Sequence, residues 1–371
     1  MAKFRKIGIL SSGGDAPGMN AAIRAATRRA LSQGLEVVGI LGGYAGLLNA
    51  ADESDPEVVR QKYLRPFDTA SVSNIVTRGG TILYSSRCPE FKTPEGMAKA
   101  LKACHDYEID AVIAIGGDGT FRGATDLTNH GIPSIGIPAT IDNDITATEQ
   151  TIGFDTALNT ALTMFDALRD TAESHARCIV TEVMGNGCGF LSLYLALATG
   201  AISVAIPEIT FDREYAIKKI REAREECNKR GIIAICGEGM PKVNDVDYGE
   251  NFKEEIIART GIDTRYTKMG HIIRGGNPTL RDRLTATQMG VEAVNMLLEG
   301  RSNLVMCVNE NRISSADINF ALVLDKMYKN KLKDGDLEPF TGYQIAQMKA
   351  RCEARHAKIQ RLYKMAYDIS M

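Results

Sequence analysis

The chain is short of net charge, of metal-type cysteine pairs and of long apolar runs, and each shortage removes a class of function. Its 44 Lys and Arg stand against 46 Asp and Glu, a formal net charge of −2 over 371 residues. Nothing at the whole-chain scale therefore favours nucleic acid or an anionic membrane. No segment reaches the run of about 20 apolar residues that a membrane helix needs. The opening MAKFRKIGILSSGGD passes straight into a strand-like run, with neither an apolar h-region nor a cleavage site. A cytoplasmic location is expected. Eight cysteines (Cys88, Cys104, Cys178, Cys188, Cys227, Cys236, Cys307 and Cys352) include no CxxC pair and no Cys/His cluster with zinc spacing. The expectation is eight free thiols, several of them small core residues, and no structural metal. There is no clear internal repeat and no low-complexity linker.

What is present is the balance of a globular protein, 44% apolar and 24% charged residues, in a chain long enough for two domains. Short β-branched runs at 6–10, 35–40, 111–117 and 132–139 read as buried strands of a parallel sheet. Helical spacing fills 18–34 and 93–107; the second opens with Thr93 as N-cap, Pro94 at the first helical position and Glu95 in the first turn. The alternation restarts with strands at 177–185, 203–209 and 231–239, separated by helices around 187–199 and 213–230. The fold class is α/β, two doubly wound Rossmann-like domains. The tail from 343 to 366 reads as a basic helix carrying Lys349, Arg351, Arg355, Lys358, Arg361 and Lys364, with Ile345, Met348, Cys352, Ile359 and Leu362 on one face. It is expected to pack on its own subunit or on a partner.

Ligands of open α/β sheets sit at the carboxyl ends of the strands, so the strand-ending loops carry the chemistry. SSGGDAPGMN (11–20) places Gly13 and Gly14 after a strand and Gly18 before a helix, which suits either an anion or a tight turn. AIGGDGTFRGA (114–124) repeats the arrangement with Asp118, an acid able to hold Mg²⁺ while Gly117, Gly119 and Thr120 cradle phosphate. GIPATIDNDI (136–145) crowds Thr140, Asp142 and Asp144 into five positions, fitting a solvated turn, a metal site or an acid–base site. GHIIRGGNP (270–278) spaces His271 and Arg274 for one face of a helical turn, suited to a phosphate monoester. TRGGTILYSSRC (77–88) sets Arg78 and Arg87 around a short β-like segment, where Arg87 can offset charge on a transferred phosphoryl group. Together these describe a kinase acting on a phosphorylated small molecule, without naming the substrate.

The motifs SGGDAPGMN, RGGT, IGGDGT, TIDND, TIGFDTA, EVMG and GHIIRGG resemble, in order and spacing, the bacterial-type 6-phosphofructokinases, from about residue 4 to about 325. The resemblance implies a nucleotide-binding domain (1–153 plus 275–325), a sugar-phosphate-binding domain (154–274) and a C-terminal helical extension (326–371). It implies ATP against Gly14, Arg87, Cys88, Gly117, Asp118, Gly119 and Thr120, with Asp118 serving Mg²⁺. It places fructose 6-phosphate with Thr140, Asp142 and Asp144 at its reacting end. Met184, Gly185, Asn186 and Glu238 would hold the sugar, His271 and Arg274 would contact it and its 6-phosphate, and Arg177 and Arg265 would reach a neighbouring subunit's substrate. Asp142 becomes the base, with Arg87, Thr140 and Asp144 assisting, and the resemblance implies a homo-oligomer, typically a tetramer.

Pyrophosphate-dependent members carry aspartate where Gly119 stands and lysine where Ala139 stands, so this chain is expected to use ATP. Transfer from pyrophosphate or to another sugar phosphate, and a weakly active regulatory paralogue, are the alternatives. Asn186 replaces an arginine usual in the family. Of the usual effector-site residues, Arg24, Arg28, Arg169 and Lys229 are present, but Thr69 and Ile202 replace an arginine and a glutamate. The usual effector response is not expected.

Overall fold

In the computed structural model, which describes residues 4–370, the chain forms two compact α/β units. Unit one comprises Met1–Ile141, Ile145–Thr156 and Arg274–Cys352; unit two comprises Asp142–Asp144, Ala157–Ile273 and Glu353–Met371. In chain order the elements are β1 (Lys6–Ser12), α1 (Met19–Ser32), β2 (Glu36–Ile40), α2 (Tyr44–Asp52), α3 (Pro56–Lys62), β3 (Leu64–Phe67), α4 (Pro94–Asp106), β4 (Ala111–Gly116), α5 (Asp118–Asn129) and β5 (Ser134–Pro138). There follow α6 (Phe154–His175), β6 (Cys178–Val183), α7 (Phe190–Thr199), β7 (Ser203–Ala205), α8 (Arg213–Glu225), β8 (Ile232–Gly237), α9 (Tyr248–Thr260) and β9 (Thr264–Lys268). The chain closes with α10 (Leu280–Leu298), β10 (Leu304–Asn309), β11 (Arg312–Asp317), α11 (Ile318–Tyr328) and α12 (Gly342–Asp368).

The first unit is built on a seven-stranded sheet in the order β11-β10-β5-β4-β1-β2-β3. The five inner strands run parallel, and β4, β5 and nearly all of β1 are buried along their whole length, as a sheet covered on both faces requires. The two edges differ: β3 and β11 pair antiparallel to their neighbours. From β1 the chain first builds outward through β2, then returns to place β4 on the other side of β1. The gap between β1 and β4, with Ser12 in register with Gly116, is therefore the topological switch point where such sheets bind ligands. α4 starts as its sequence predicts, the Thr93 hydroxyl accepting from Gly96 N at 3.1 Å.

The second unit holds an all-parallel sheet in the order β7-β8-β6-β9. Its core includes Val180, Ile217, Ile220, Ala234, Phe252 and Ile256. The strand expected over 203–209 stops at Ala205, because Pro207 has no N–H to give a ladder. The helix expected to 230 ends at Glu225, where two adjacent glutamates sit at the unfavourable end of the helix dipole and Asn228 turns left-handed (φ 50°).

The tail helix is found at Gly342–Asp368, and Met348, Cys352, Ile359 and Ala366 are buried along it. Arg355, read from sequence only as one of the basic residues of this helix, is buried too, at 9% exposure. Residues of α12 up to Cys352 group with the first unit and those from Glu353 with the second. Among the described residues no helix is long and apolar enough to cross a membrane.

Candidate functional site

The first unit carries the glycine loops. β1 is followed by Gly13 (φ 85°) and Gly14, β4 ends in Gly116 and is followed by Gly117, and the Thr120 hydroxyl ties the two loops together by donating to the Ser12 carbonyl at 3.0 Å. Gly117 precedes the first turn of α5, whose open N–H groups and dipole favour an anion. A Cβ at Gly117 or Gly119 would meet no neighbouring atom within 4 Å, so the loop borders open space at those positions. Asp118 is the first residue of α5; Lys329 Nζ lies 3.8 Å from its carboxylate and 3.5 Å from buried Asp325. No group of three His, Cys, Asp or Glu suited to a metal occurs among the described residues. One carboxylate at a phosphate loop is nevertheless the donor set that suits Mg²⁺, which completes its shell with waters and substrate oxygens.

The segment 77–88 contains no strand, contrary to the β-like expectation; side chains hold it in place of ladder bonds. Asn20 donates to the carbonyls of Arg78 (3.2 Å) and Gly79 (3.1 Å) and accepts from Ile82 N (2.8 Å). Ser11 Oγ meets Thr81 Oγ1 at 2.7 Å and the Tyr84 carbonyl at 2.9 Å. The loop thus bolted down presents Arg87, exposed, and Cys88, half-buried, beside the 3₁₀ turn Pro89–Lys92. Asn20 and Ser11 belong to the first glycine motif, where sequence reading weighed the glycines alone.

Arg274 also lies in this unit. Its Nε is 3.3 Å from Asp15 Oδ1 and its Nη2 donates to the Asp15 carbonyl at 2.5 Å. A Cβ on Gly14 would stand 2.3 Å from Nη2, so glycine there is what lets the guanidinium lie on the loop. Asp15 as its partner was missed from sequence. Thr140, buried beyond β5, accepts at its carbonyl from Thr151 Oγ1 at 2.6 Å and bonds through its N–H to Ile152 at 3.0 Å.

The second unit holds the acids. Asp142 and Asn143 are buried at 8% and 2% exposure and Asp144 is half-buried, which removes the solvated-turn reading of the TIDND stretch. Asn143 adopts φ 51°, a left-handed conformation asparagine tolerates. Beyond β6, Met184 is half-buried, and the N–H groups of Gly185 and Asn186 both donate to Glu238 Oε2 at 3.1 Å. Glu238, beyond β8, therefore shapes the Gly185–Asn186 loop. Asn186 is exposed at φ 49°, again a conformation easier for asparagine than for a long side chain.

Arg177 and Arg265 meet on one acid, Asp263: Arg177 Nε lies 2.6 Å from it and Arg265 Nη2 3.2 Å. The Arg177 hydrogen bond holds the Asp263 carboxyl below its usual range. Asp263 carries no motif, so its role was invisible until Ile179 and Arg265 paired in register. His271 is exposed in a 3₁₀ turn, Gly270–Arg274, anchored by buried Ile273. Arg169 donates to the Thr199 carbonyl and, with Lys229 and Ile202, lines a small cavity of this unit.

Glycine loops flanking the switch point of a doubly wound sheet, a lone acid opening a helix there, and two arginines sharing one acid on a second parallel sheet suit an α/β protein of the phosphate-handling kind. The phosphofructokinase family model matches residues 6–297. The ATP-dependent 6-phosphofructokinase of Halalkalibacterium halodurans is 46% identical over 319 residues, covering 86% of this chain and 94% of that one. ATP-dependent 6-phosphofructokinase 1 of Clostridium perfringens is 46% identical over 329 residues, 89% of this chain and 97% of that one. Among solved structures, phosphofructokinase from Saccharomyces cerevisiae superposes with a TM-score of 0.79 at 30% identity, over 90% of this chain but 47% of that longer chain. A pyrophosphate-dependent phosphofructokinase from Nitrosospira multiformis (TM-score 0.73, 18% identity, 85% of this chain and 83% of that one) shares the fold. The chain belongs to the phosphofructokinase family.

Proposed function

We propose that the chain is an ATP-dependent 6-phosphofructokinase, a glycolytic phosphotransferase that moves the γ-phosphoryl of ATP to the 1-hydroxyl of fructose 6-phosphate and releases ADP and fructose 1,6-bisphosphate. The observation that carries this reading is the match of nearly the whole length of relatives bearing that name, joined to an open loop at Gly119, which leaves a nucleotide room where an aspartate would intrude. The reading assigns ATP to Gly14, Arg87, Cys88 and Gly117–Thr120. It assigns the sugar phosphate to Met184, Gly185, Asn186, Glu238, His271 and Arg274. Asp142 accepts the proton of the 1-hydroxyl as that oxygen bonds to the γ-phosphorus and the bond to ADP breaks. Asp144 and Thr140 orient the acid, and Arg87 offsets the charge of the transferred group. Mg²⁺, held through Asp118, would supply further charge neutralisation on the phosphates.

Arg177 and Arg265, braced by Asp263, serve the 6-phosphate of a neighbouring subunit in a homo-oligomer, a tetramer in the full reading. Leu280 and Leu284, exposed by 74% and 54% one turn apart on α10, are apolar surface of the sort an interface covers. The enzyme would act in the cytoplasm.

A panel of ATP and pyrophosphate against fructose 6-phosphate and sedoheptulose 7-phosphate tests the assignment. Turnover with ATP and fructose 6-phosphate is expected, and turnover with pyrophosphate alone would overturn it. Asp142→Asn should lower kcat by about 10²-fold or more with KM for both substrates nearly unchanged; a near-normal kcat would sink the base assignment.

A further inference from the structure

α12 lies beyond the family match, which ends at residue 297, and no motif points to it. Within the second unit, nevertheless, its buried Arg355 donates from Nη2 to the carbonyl of Asn143. The guanidinium carbon stands 4.7 Å from the ring centroid of Phe190, the fully buried first residue of α7, and Lys358 Nζ lies 5.5 Å from the same ring. A buried guanidinium is costly unless hydrogen-bonded and stacked, so the arrangement is a specific one.

The far end of α12 is fastened to α8. Buried Lys219 donates to the Tyr367 carbonyl (2.6 Å) and to Ser370 Oγ (2.5 Å), and the Tyr367 ring stacks on Tyr215 at 4.5 Å. This clamp carries the charge-favoured cation at a helix C-terminus, and it fixes the helix three turns from Arg355 along the same unit.

Asn143 is the residue between the two acids. With its φ left-handed, the direction of its carbonyl decides how the Asn143–Asp144 peptide is turned, and with it how Asp144 leaves the turn that also carries Asp142. We propose that Arg355 is a positioning residue for phosphoryl transfer: the tail helix supplies a guanidinium that holds the Asn143 carbonyl, keeping the two acids in their working orientation. The proposal rests on the reading that Asp142 is the base. The hydroxyl proton goes to Asp142 and none passes through Arg355.

The test is steady-state kinetics of full-length Arg355→Met, Arg355→Lys and Asp142→Asn, at a temperature where circular dichroism shows each folded. Methionine keeps the bulk and loses the donors; lysine keeps the charge and one donor. Arg355→Met should lower kcat about 10- to 100-fold, since misplacing a reacting group by about 1 Å costs that much, with KM for ATP and fructose 6-phosphate within about twofold. Arg355→Lys should recover at least about threefold of the lost kcat. A kcat for Arg355→Met within about threefold of wild type overturns the proposal. So does a loss in Arg355→Met that lysine does not relieve. If Arg355→Met does not fold, Arg355→Gln, whose shorter neutral side chain cannot reach as the guanidinium does, decides: kcat lowered at least about threefold with KM within about twofold supports positioning, and any other outcome overturns it. Asp142→Asn separates the two readings. Its retention of kcat sinks the base assignment by itself, while its loss beside an intact Arg355→Met leaves the base standing and ends the positioning role.

Discussion

At residue 119 the proposed reading makes a missing side chain the feature that admits ATP. A Cβ there would touch nothing and the backbone conformation is ordinary, so Gly119→Asp should fold as well as wild type. The carboxylate would project into the space assigned to the α-phosphate. We expect kcat/KM for ATP to fall by about 10²-fold or more while the thermal midpoint moves by less than about 2 °C; unchanged ATP kinetics would remove the donor argument. Asn186 has a local explanation of a different sort. Its left-handed backbone, with its N–H and that of Gly185 on Glu238, suits asparagine and penalises a long side chain.

At the scale of elements, α10 is tied to the start of α6 through one acid. Thr279 caps α10, and Asp282, fully buried, accepts from Thr156 N at 2.8 Å and Thr156 Oγ1 at 2.6 Å, all within the first unit. Its other oxygen, Oδ1, has no hydrogen-bond partner among the described residues. Burial pushes the Asp282 carboxyl up to about 6, against an ordinary value near 3.9. The folded chain therefore keeps a proton that the unfolded chain releases between about pH 4 and pH 6. The stability this supplies is full below pH 4 and is lost as pH rises through 6, by roughly 3 kcal/mol. Urea midpoints across this range should show a decline with rising pH in wild type that is absent from Asp282→Asn. Equal slopes in the two proteins would refute it.

At the scale of the whole molecule, the proposed trans role of Arg177 and Arg265 has a direct test. Asp142→Asn and Arg265→Ala should each be nearly inactive alone. Co-expressed, they should regain roughly a quarter of wild-type activity, the share of sites receiving both native halves under random pairing across a two-fold interface. No recovery would place Arg265 in its own subunit's chemistry.

Periodicity and strand-end glycines were enough to read two doubly wound units, because buried parallel strands must be continuously apolar and phosphate loops must be small. The candidate site motifs could be picked out because they lie in short stretches at strand ends, while the roles proposed for their residues came from the family resemblance. What only the tertiary structure decided is pairing at a distance. The antiparallel edges β3 and β11 depend on neighbours chosen by the sheet, and the hold of Asn20 and Ser11 on segment 77–88 depends on which loop lies opposite. Asp263 joins two arginines only once β6 and β9 stand side by side. Arg355 was one basic residue among six of the tail helix, because helical spacing cannot tell a buried guanidinium from an exposed one. Its carbonyl partner lies 212 residues away, a separation across which sequence carries no pattern and only packing brings the groups together.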